Sequence, residues 1–248
     1  MTEWNLVFSD IHSNYPALDT VLDDPEVEYD RVICAGDIVG YGPHPERCID
    51  RLREMSCDFV AVKGNHDAGV TGELSTSLFN HMARSANKWT QQRLEEDYVN
   101  WLKSQPRTFE SERFQVVHGC PGDEPMMTYV DQLFSARKAC QNMDRNILFV
   151  GHTHIPAYYH GVSCESLDEH GVEANSEQVL SGKGYSILNP GSVGQPRDGN
   201  WRASYLLWNS ESNTIRWTRV SYDYKSVQED IREAGLPGKL ATRLEYGQ

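Results

Sequence analysis

The sequence predicts an α/β protein built from layers of sheet and helix. Its first two thirds repeat one unit, in which a short β-rich run is followed by a cluster of Asp, His, Asn and Gly and then by a helical stretch. From about residue 155 the pattern changes to alternating runs separated by glycine, which is typical of antiparallel strands. Apolar residues make up 39% of the 248 residues and charged residues 24%, a balance that supports a buried core.

Five short apolar runs in the first part predict buried strands, because β-branched and aromatic residues dominate them. They are residues 6–8, 32–34, 59–62, 114–117 and 147–150. The stretches between them predict helices at about 15–23, 45–54, 76–94, 97–103 and 132–142. The third of these helices carries Leu78, Met82, Ala86 and Trp89 at helical spacing, and we expect this stripe to face the core.

Four runs in the last third predict antiparallel strands. They are residues 177–180, 185–188, 204–208 and 214–220. An amphipathic helix is predicted near 224–234, and the glycines and proline of residues 235–238 end it. No linker, low-complexity segment or internal repeat interrupts the chain, so residues 1–248 are expected to form a single domain.

The composition excludes several classes of function. The 36 acidic and 23 basic residues give a formal net charge of −13, so the chain does not hold a nucleic-acid polymer by bulk charge. No apolar run reaches the ~18 residues of a membrane helix, and the N-terminus lacks the features of a signal peptide, so we expect no membrane association and a cytoplasmic location. The six cysteines show neither CxxC nor zinc-finger spacing. We expect them to be reduced, with Cys34 and Cys57 facing the core.

The polar clusters that follow the five early strands carry the chemistry. They are Asp10-Ile11-His12, Gly36-Asp37, Gly64-Asn65-His66-Asp67, His118-Gly119 and Gly151-His152-Thr153-His154. Parallel strands of an open sheet bring their carboxyl ends to one crevice, so these loops are expected to meet. Alternate residues of an extended segment point the same way, which predicts that both members of Asp-x-His and of His-x-His face a common site. Carboxylates and imidazoles bind divalent metals, and the neighbouring glycines allow close backbone approach.

This ordered set of motifs resembles the calcineurin-like metallophosphoesterases. Residues 36–43 and 189–197 are similar to the small prokaryotic phosphodiesterase branch of that superfamily, as is the C-terminal Gly-Leu-Pro stretch. The resemblance covers nearly the whole chain. It implies a four-layer αββα sandwich with a metal site at the carboxyl ends of the strands.

The resemblance also implies seven ligands for two divalent ions. Asp10, His12 and His154 would hold one ion, Asn65, His118 and His152 the other, and Asp37 would bridge both. A carboxylate has two oxygens and spans ions ~3.5–4 Å apart, the separation found in two-metal hydrolytic sites. Manganese is the expected metal, and iron, zinc or nickel also suit these ligands. A hydroxide bridging the ions would attack phosphorus in line with the leaving group, without a covalent enzyme intermediate.

Asp37 and His66 are the catalytic residues that the resemblance implies. His66 would protonate the leaving group or stabilise its charge, because Asn65 already supplies the ligand from that loop. The alternative for His66 is an orienting role behind the metal ligands. Asp67 is expected to anchor the loop or to orient a ligand histidine rather than to bind metal.

The chain departs from the phosphoprotein phosphatases at Gly40-Tyr41-Gly42. Those enzymes carry there the Asp that pairs with the catalytic His and an Arg that holds phosphate, so the departure argues against a protein phosphatase. Substrate binding then falls to Asn65 and to Arg197 in the late loop, with Lys183 as a second candidate. A surface salt bridge is the alternative role for Arg197.

The function that the sequence favours is hydrolysis of small phosphodiesters or nucleotide phosphates by a dinuclear metal-dependent phosphoesterase. A dinucleoside polyphosphate hydrolase or a phosphomonoesterase would use the same ligands with different pocket walls. A non-enzymatic scaffold of similar fold, such as the retromer scaffold subunit, is the alternative of another class, and the complete ligand set with His66 argues against it. Trp201, Tyr205 and Trp208 line either the core or a partner surface, which leaves an oligomer open.

Overall fold

The computed structural model describes residues 4–24, 28–123 and 127–248. The strands in these ranges are β1 (Trp4–Phe8), β2 (Arg31–Cys34), β3 (Asp58–Ala61), β4 (Thr108–Glu110), β5 (Phe114–Val117), β6 (Ile147–Phe149), β7 (Ala157–Gly161), β8 (Asp168–His170), β9 (Glu177–Val179), β10 (Tyr185–Asn189), β11 (Ala203–Asn209) and β12 (Thr214–Val220). The helices are α1 (Tyr15–Leu22), α2 (Pro45–Arg53), α3 (Asn65–Thr71), α4 (His81–Arg93), α5 (Glu96–Ser104), α6 (Leu133–Asn142), α7 (Tyr224–Glu233) and α8 (Gly238–Tyr246).

The strands form two six-stranded sheets. The first has the order β3-β2-β1-β11-β12-β9 and the second the order β4-β5-β6-β10-β7-β8. In the first sheet β1, β2 and β3 are parallel, and Ile33 lies between Val7 and Val60 in the register. In the second sheet β5, β6 and β10 are parallel, and the neighbours β4 and β7 run antiparallel to them. The polar clusters follow the carboxyl ends of β1, β2, β3, β5 and β6.

Alternate residues of each strand pack on opposite faces of the sheets. Val7, Phe114 and Trp208 belong to the apolar core between the two sheets. Leu6 and Phe8 pack with most of the helices on the outer face of the first sheet. Helix α6 covers the outer face of the second sheet. The molecule is therefore a four-layer αββα sandwich, which confirms the predicted fold class.

Most predicted strands and helices are present with bounds shifted by one or two residues. The predicted helix 76–94 is different, because a 3₁₀ turn at Thr76–Leu78 is separated from α4 by Phe79 and Asn80. The side chain of Asn80 accepts a hydrogen bond from Ala83 N (3.0 Å) and so begins a new helix. Leu78 consequently leaves the expected core stripe and is 53% exposed.

The sequence pattern does not predict α3, α8 or the short strands β4, β7 and β8. Helix α3 has seven residues and lies inside a polar cluster, and its first turn depends on Asp67, whose carboxylate accepts a hydrogen bond from Gly64 N (2.9 Å). Helix α8 begins at Gly238, within the segment 235–238 that is predicted to end the preceding helix. Leu240 and Leu244 are buried on its inner face. Strand β8 is exposed along its length, so it has no apolar alternation to indicate it.

The expectation that all six cysteines are reduced is wrong for one pair. Cys140 in α6 and Cys164 in the loop between β7 and β8 form a disulfide, with Cα atoms 5.5 Å apart. They are 24 residues apart, so no local motif marks the pair. Cys34 is buried as expected, and Cys57 is half-buried and packs against the core.

Two of the three aromatic residues considered for a partner surface lie in the core. Tyr205 and Trp208 are 2% and 1% exposed, because β11 is a central strand of the first sheet. Trp201 is half-buried and packs near Tyr222 and Tyr224. In the part of the chain that the structure describes, no helix combines the length and apolar character needed to cross a membrane.

Candidate metal centre

The five polar clusters meet where the two sheets adjoin. Within the first sheet, Asp10 N donates a hydrogen bond to Gly36 O (3.0 Å), and within the second, Gly151 N donates to His118 O (2.8 Å). His152 N donates to Asp10 Oδ2 (3.0 Å) and so connects the two sheets. The loops therefore converge as the sequence predicts, but at the ends of two sheets rather than in the crevice of one open sheet.

Five of the predicted ligands have left-handed backbone conformations. The φ angles are 56° for Asp10, 49° for His12, 53° for Asp37, 70° for His152 and 64° for His154. Such conformations cost about 1–3 kcal/mol per residue outside glycine, and they cluster at functional sites. The argument from extended Asp-x-His and His-x-His segments is thus wrong, because the backbone turns at each of these residues. Hydrogen bonds such as His12 N to Asp37 O (3.0 Å) stabilise the turned loops.

Asp10, His12 and His154 form the first group of donor atoms. Nε2 of His12 lies 3.1 Å from Nε2 of His154. Asp10 Oδ1 lies 3.3 Å from His154 Nε2 and 3.7 Å from His12 Nε2. This oxygen is buried and accepts no hydrogen bond from any residue that the structure describes. Since a buried acceptor without a donor is costly, the arrangement favours a cation between these atoms.

Asp37, His118 and His152 form the second group, whose donor atoms lie within 4.8 Å of one another. Asp37 Oδ2 is 3.2 Å from His118 Nε2 and 3.6 Å from His12 Nε2, so its carboxylate contacts both groups. Asn65 Oδ1 lies 3.1 Å from His118 Nε2 and adds an amide oxygen. The other oxygen of Asp37 accepts a hydrogen bond from His66 N (2.8 Å), which fixes the orientation of the carboxylate.

Backbone carbonyls hold the outer nitrogens of the four histidines. Nδ1 of His12, His118 and His154 faces Val39 O (3.2 Å), Ala35 O (2.7 Å) and Gln195 O (2.6 Å) respectively. A carbonyl accepts a proton, so these contacts assign the proton to Nδ1 and leave Nε2 for a metal. His152 is reversed, because its Nε2 faces Met127 O (3.4 Å) and Nδ1 remains for the site.

Burial keeps three of these imidazoles neutral. It lowers the pKa of His12 and of His154 well below the usual value. Burial, together with the charge of His118, lowers the pKa of His152 to about 3. A metal binds the neutral form of imidazole, so these three side chains are ready to act as ligands near neutral pH.

Asp37 and His118 form a buried ion pair in the absence of metal. Burial opposes both charges, but the carboxylate of Asp37 outweighs it and raises the pKa of His118 to about 9. The charge of His118 in turn holds the pKa of Asp37 well below its usual range. Burial raises the pKa of Asp10 to about 7, with a further contribution from Asp37 and an opposing one from His118. Bound cations would replace the protons on Asp10 and His118.

His66 lies in the first turn of α3 and is 4% exposed. Its ring lies between Tyr41 and Phe79, with centroid distances of 4.4 Å and 5.1 Å, and it lines a cavity above the donor atoms. Burial lowers the pKa of His66. One of its nitrogens lies within 4.8 Å of the donor atoms of His12 and Asp37, a position that suits a proton donor or a further ligand.

Asp67 connects two of the loops. Its Oδ1 accepts a hydrogen bond from Val39 N (3.0 Å), and its Oδ2 accepts one from Gly64 N (2.9 Å). Both oxygens are therefore occupied by backbone donors. This geometry favours the anchoring role that the sequence predicts for Asp67.

Arg197 lines the same cavity as His66. Its Cζ lies 5.9 Å from the centre of the Tyr41 ring, and Nη2 donates a hydrogen bond to Gln195 Oε1 (3.1 Å). Its Nε is buried and has no acceptor among the described residues. Lys183 is exposed in the connection between β9 and β10 and is not part of the cavity wall.

The cavity above the donor atoms has a volume of about 170 Å³. Leu78, Phe79, Met127 and Tyr129 form an apolar part of its wall. The Tyr129 ring stacks on that of His152, with centroids 4.1 Å apart and planes within 10°, and it is 43% exposed. The sequence does not mark these wall residues by any motif. Leu78 and Phe79 fall within the predicted helix at 76–94, and Met127 and Tyr129 lie between predicted elements.

Comparison with known proteins identifies the family. The profile of the calcineurin-like phosphoesterase superfamily domain matches residues 5–213. The chain belongs to this superfamily. A metallophosphoesterase from Sphaerobacter thermophilus is 37% identical and superimposes with a TM-score of 0.87 over 100% of both chains. An uncharacterized protein of Methanocaldococcus jannaschii is 34% identical, with 98% of this chain and 97% of that protein aligned. A hypothetical protein from Pyrococcus horikoshii OT3, 17% identical, has the same fold, with a TM-score of 0.80 over 99% and 98% of the two chains.

Membership of the calcineurin-like phosphoesterases places the chain among the phosphoester hydrolases and implies divalent metal. The donor set fits such ions. Asp10 Oδ1 is buried without a donor, and the Nε2 atoms of His12 and His154 face each other with their electron pairs. Mixed carboxylate and imidazole ligands suit manganese, iron, zinc and nickel alike, so the ligands alone do not select one metal.

Proposed function

We propose that this calcineurin-like phosphoesterase is a dinuclear metal-dependent enzyme that hydrolyses small phosphodiesters or nucleotide phosphates. The position of Asp37 carries the proposal, because its carboxylate lies between His12 of one donor group and His118 of the other. In this proposal one ion binds to Asp10, His12 and His154, the other to Asn65, His118 and His152, and Asp37 binds both. We propose manganese as the metal.

Ions bound there would supply an acidic water as nucleophile and neutralise the charge on the phosphoryl oxygens. Arg197 would bind a phosphoryl oxygen through its buried Nε, which lacks an acceptor among the described residues. Asn65 directs its oxygen to His118, which leaves its amide nitrogen for the substrate. His66 would protonate the leaving oxygen, so that the N–H bond of the imidazolium breaks as the new O–H bond forms.

The size and charge of the site support a small substrate. The cavity of about 170 Å³ has room for a phosphoryl group and part of one substituent. The net charge of −13 repels a nucleic-acid polymer, whereas Arg197 provides one local positive charge. Apolar wall residues such as Phe79 and Tyr129 suit an organic substituent on the phosphate.

The first experiment measures metal-dependent hydrolysis of two model esters. The protein is stripped with a chelator, reloaded with manganese, and assayed with bis-p-nitrophenyl phosphate and p-nitrophenyl phosphate. We expect two ions per chain and hydrolysis that depends on metal. A folded protein that hydrolyses neither ester with manganese, iron, zinc or nickel would contradict the proposal.

Two variants separate metal binding from proton transfer. Asp37→Asn should lose bound metal and turnover, because it removes the charge between the two donor groups. His66→Ala should keep both ions and lose about 10²- to 10⁴-fold in rate on phosphodiesters with poor leaving groups, and much less on the p-nitrophenyl esters. His170→Ala is the matched control, since this histidine is exposed on β8. Loss of metal from His66→Ala would show instead that His66 is a ligand.

A further inference from the structure

A side chain on α4 holds the outer nitrogen of His66. Asn87 Oδ1 lies 2.9 Å from His66 Nδ1, and Asn87 Nδ2 donates a hydrogen bond to the backbone oxygen of the same histidine (3.3 Å). Asn87 is fully buried, and 21 residues separate it from His66. No sequence motif connects these two residues.

The two contacts together fix the orientation of the amide. If the amide were flipped, its oxygen would face the carbonyl oxygen of His66, and two acceptors would oppose each other. With Oδ1 toward the ring, Nδ1 of His66 must carry a proton and donate it. Nε2 is then the ring nitrogen that remains for the cavity.

The rings of Tyr41 and Phe79 do not make this distinction, and a nitrogen of His66 also lies within 4.8 Å of the donor atoms of His12 and Asp37. Tyr41 and Phe79 contact the faces of the ring, and a ring turned by 180° about its axis would keep both contacts. A hydrogen bond to one nitrogen discriminates between the two ring orientations, and Asn87 makes that bond.

The backbone leaves space for this pair at two glycines. A Cβ at Gly69 would lie 2.4 Å from Asn87 Nδ2 and 2.7 Å from the Phe79 ring. A Cβ at Gly40 would lie 2.4 Å from His66 Nδ1. Gly69 lies inside α3, where glycine costs about 1 kcal/mol relative to alanine. The space that it provides for Asn87 accounts for a glycine at this unfavourable position.

We propose that Asn87 is the positioning residue of His66, holding one proton on Nδ1 so that Nε2 faces the leaving group and, once it carries the second proton of the imidazolium, transfers that proton to the leaving oxygen. Asn87 provides a neutral acceptor, so it orients the ring without adding a negative charge beside it. The part of the inference that concerns the leaving group rests on the proposed function. The part that concerns the tautomer does not, because it is a property of the metal-free protein.

Three variants test this inference. Asn87→Leu keeps a similar volume and removes the acceptor, whereas Asn87→Asp keeps an acceptor for Nδ1 and loses the donor to the backbone oxygen of His66. Thr90→Val is the matched control, because Thr90 is fully buried on the same helix and donates one hydrogen bond to Ala86 O (3.0 Å) without contacting His66. Thermal unfolding and metal content are measured for each variant.

The first measurement is the tautomer of His66 in metal-free protein labelled with ¹⁵N-histidine. Long-range ¹H–¹⁵N correlation spectra distinguish the two neutral tautomers, and the signals missing from His66→Gln identify this residue. We expect the Nδ1–H form in the unmodified protein, in Asn87→Asp and in Thr90→Val, and its loss in Asn87→Leu. An Nε2–H form in the unmodified protein or in Asn87→Asp, or an unchanged Nδ1–H form in Asn87→Leu, would overturn the proposal.

The second measurement compares kcat and KM for phosphodiesters whose leaving groups differ in pKa. Asn87→Leu should lose about 10- to 100-fold in kcat on the poorest leaving groups, little on p-nitrophenol, and should keep its KM and metal content. Asn87→Asp should recover part of the loss. An equal loss on all leaving groups, or the same loss in Thr90→Val, would overturn the positioning role. If His66→Gln itself leaves the leaving-group dependence unchanged, the acid role in the proposed function fails, and the tautomer result stands separately.

Discussion

Breaking the Cys140–Cys164 disulfide is expected to lower the free energy of unfolding by about 3.5 kcal/mol. The two cysteines are 24 residues apart, and the chain-entropy relation for a loop of this length gives that value. The closed segment contains β6, the histidines 152 and 154, and β7. The cross-link therefore restricts, in the unfolded chain, the segment that carries two proposed ligands.

The effect should be independent of metal. If the cross-link acts on the unfolded chain, its contribution adds to the stabilisation from metal binding without changing it. Reduction should then cost the same in metal-free and in manganese-loaded protein. A cost that differs between the two forms would show that the disulfide acts by shaping the native metal loops.

Urea unfolding with and without reductant measures the cost, and thiol titration in denaturant checks the pairing. Four thiols are expected without reductant, since Cys34, Cys48, Cys57 and Cys120 are free, and six with it. The double variant Cys140→Ser/Cys164→Ser should be insensitive to reductant. Cys57→Ser is the control, because this cysteine is half-buried and unpaired. Six thiols without reductant, or equal stability of the oxidised and reduced protein, would refute the reasoning.

Two further predictions concern the metal centre. Metal-free protein should lose up to about 3 kcal/mol of stability as pH rises from about 7 to 9. The pKa of His118 is about 9 in the folded protein and 6.5 in the unfolded chain, so protonated His118 stabilises the fold. This contribution is complete below pH 6.5 and is lost as pH rises through the folded-state pKa. Unfolding of chelator-treated protein measures it, and stability that is flat or rises over this range contradicts the ion pair with Asp37. Gly64→Ala should lower the metal content, and it should lower the free energy of unfolding by about 1–3 kcal/mol. The Cβ of an alanine at this position would lie 2.1 Å from Asp37 Oδ1. Gly171→Ala is the control, since a Cβ there meets no atom within 4 Å, and unchanged metal content in Gly64→Ala would contradict the steric argument.

The layered fold could be predicted because the amino-acid composition of its strands identifies them. Runs such as residues 147–150 are apolar on both faces, and both faces of the strands are covered in the sandwich. The helices that were not predicted, α3 and α8, are stabilised by contacts between residues that a short sequence window does not connect. Helix α3 depends on the Asp67 carboxylate, and α8 depends on burial of Leu240 and Leu244. Periodicity within a short window does not contain that information.

The chemical types at the site could be predicted, but not how the backbone presents them. Asp10 and His12 come together because both have positive φ angles, and no rule for extended segments gives that result. The hydrogen bond from His12 N to Asp37 O stabilises this turn from another loop. The role of Asn87 could not be predicted for a related reason. It lies on a separate helix, and no motif surrounds it in the sequence. The candidate metal ligands occur in recognisable sequence motifs. The side chains that orient them can be identified only from their contacts in the structure.

The buried charges give a physical reason why the site needs cations to bind an anion. Asp37 is ionised, Asp10 loses its proton near pH 7, and burial keeps His12 and His154 neutral, so His118 is the principal positive charge among these donors. The two carboxylates then offset His118 and the nearby Arg197, and the whole chain is acidic at −13. A phosphate ester approaching the metal-free centre would therefore meet little net attraction. Divalent ions bound there would reverse this local charge without any basic surface, so an acidic chain could bind an anionic substrate.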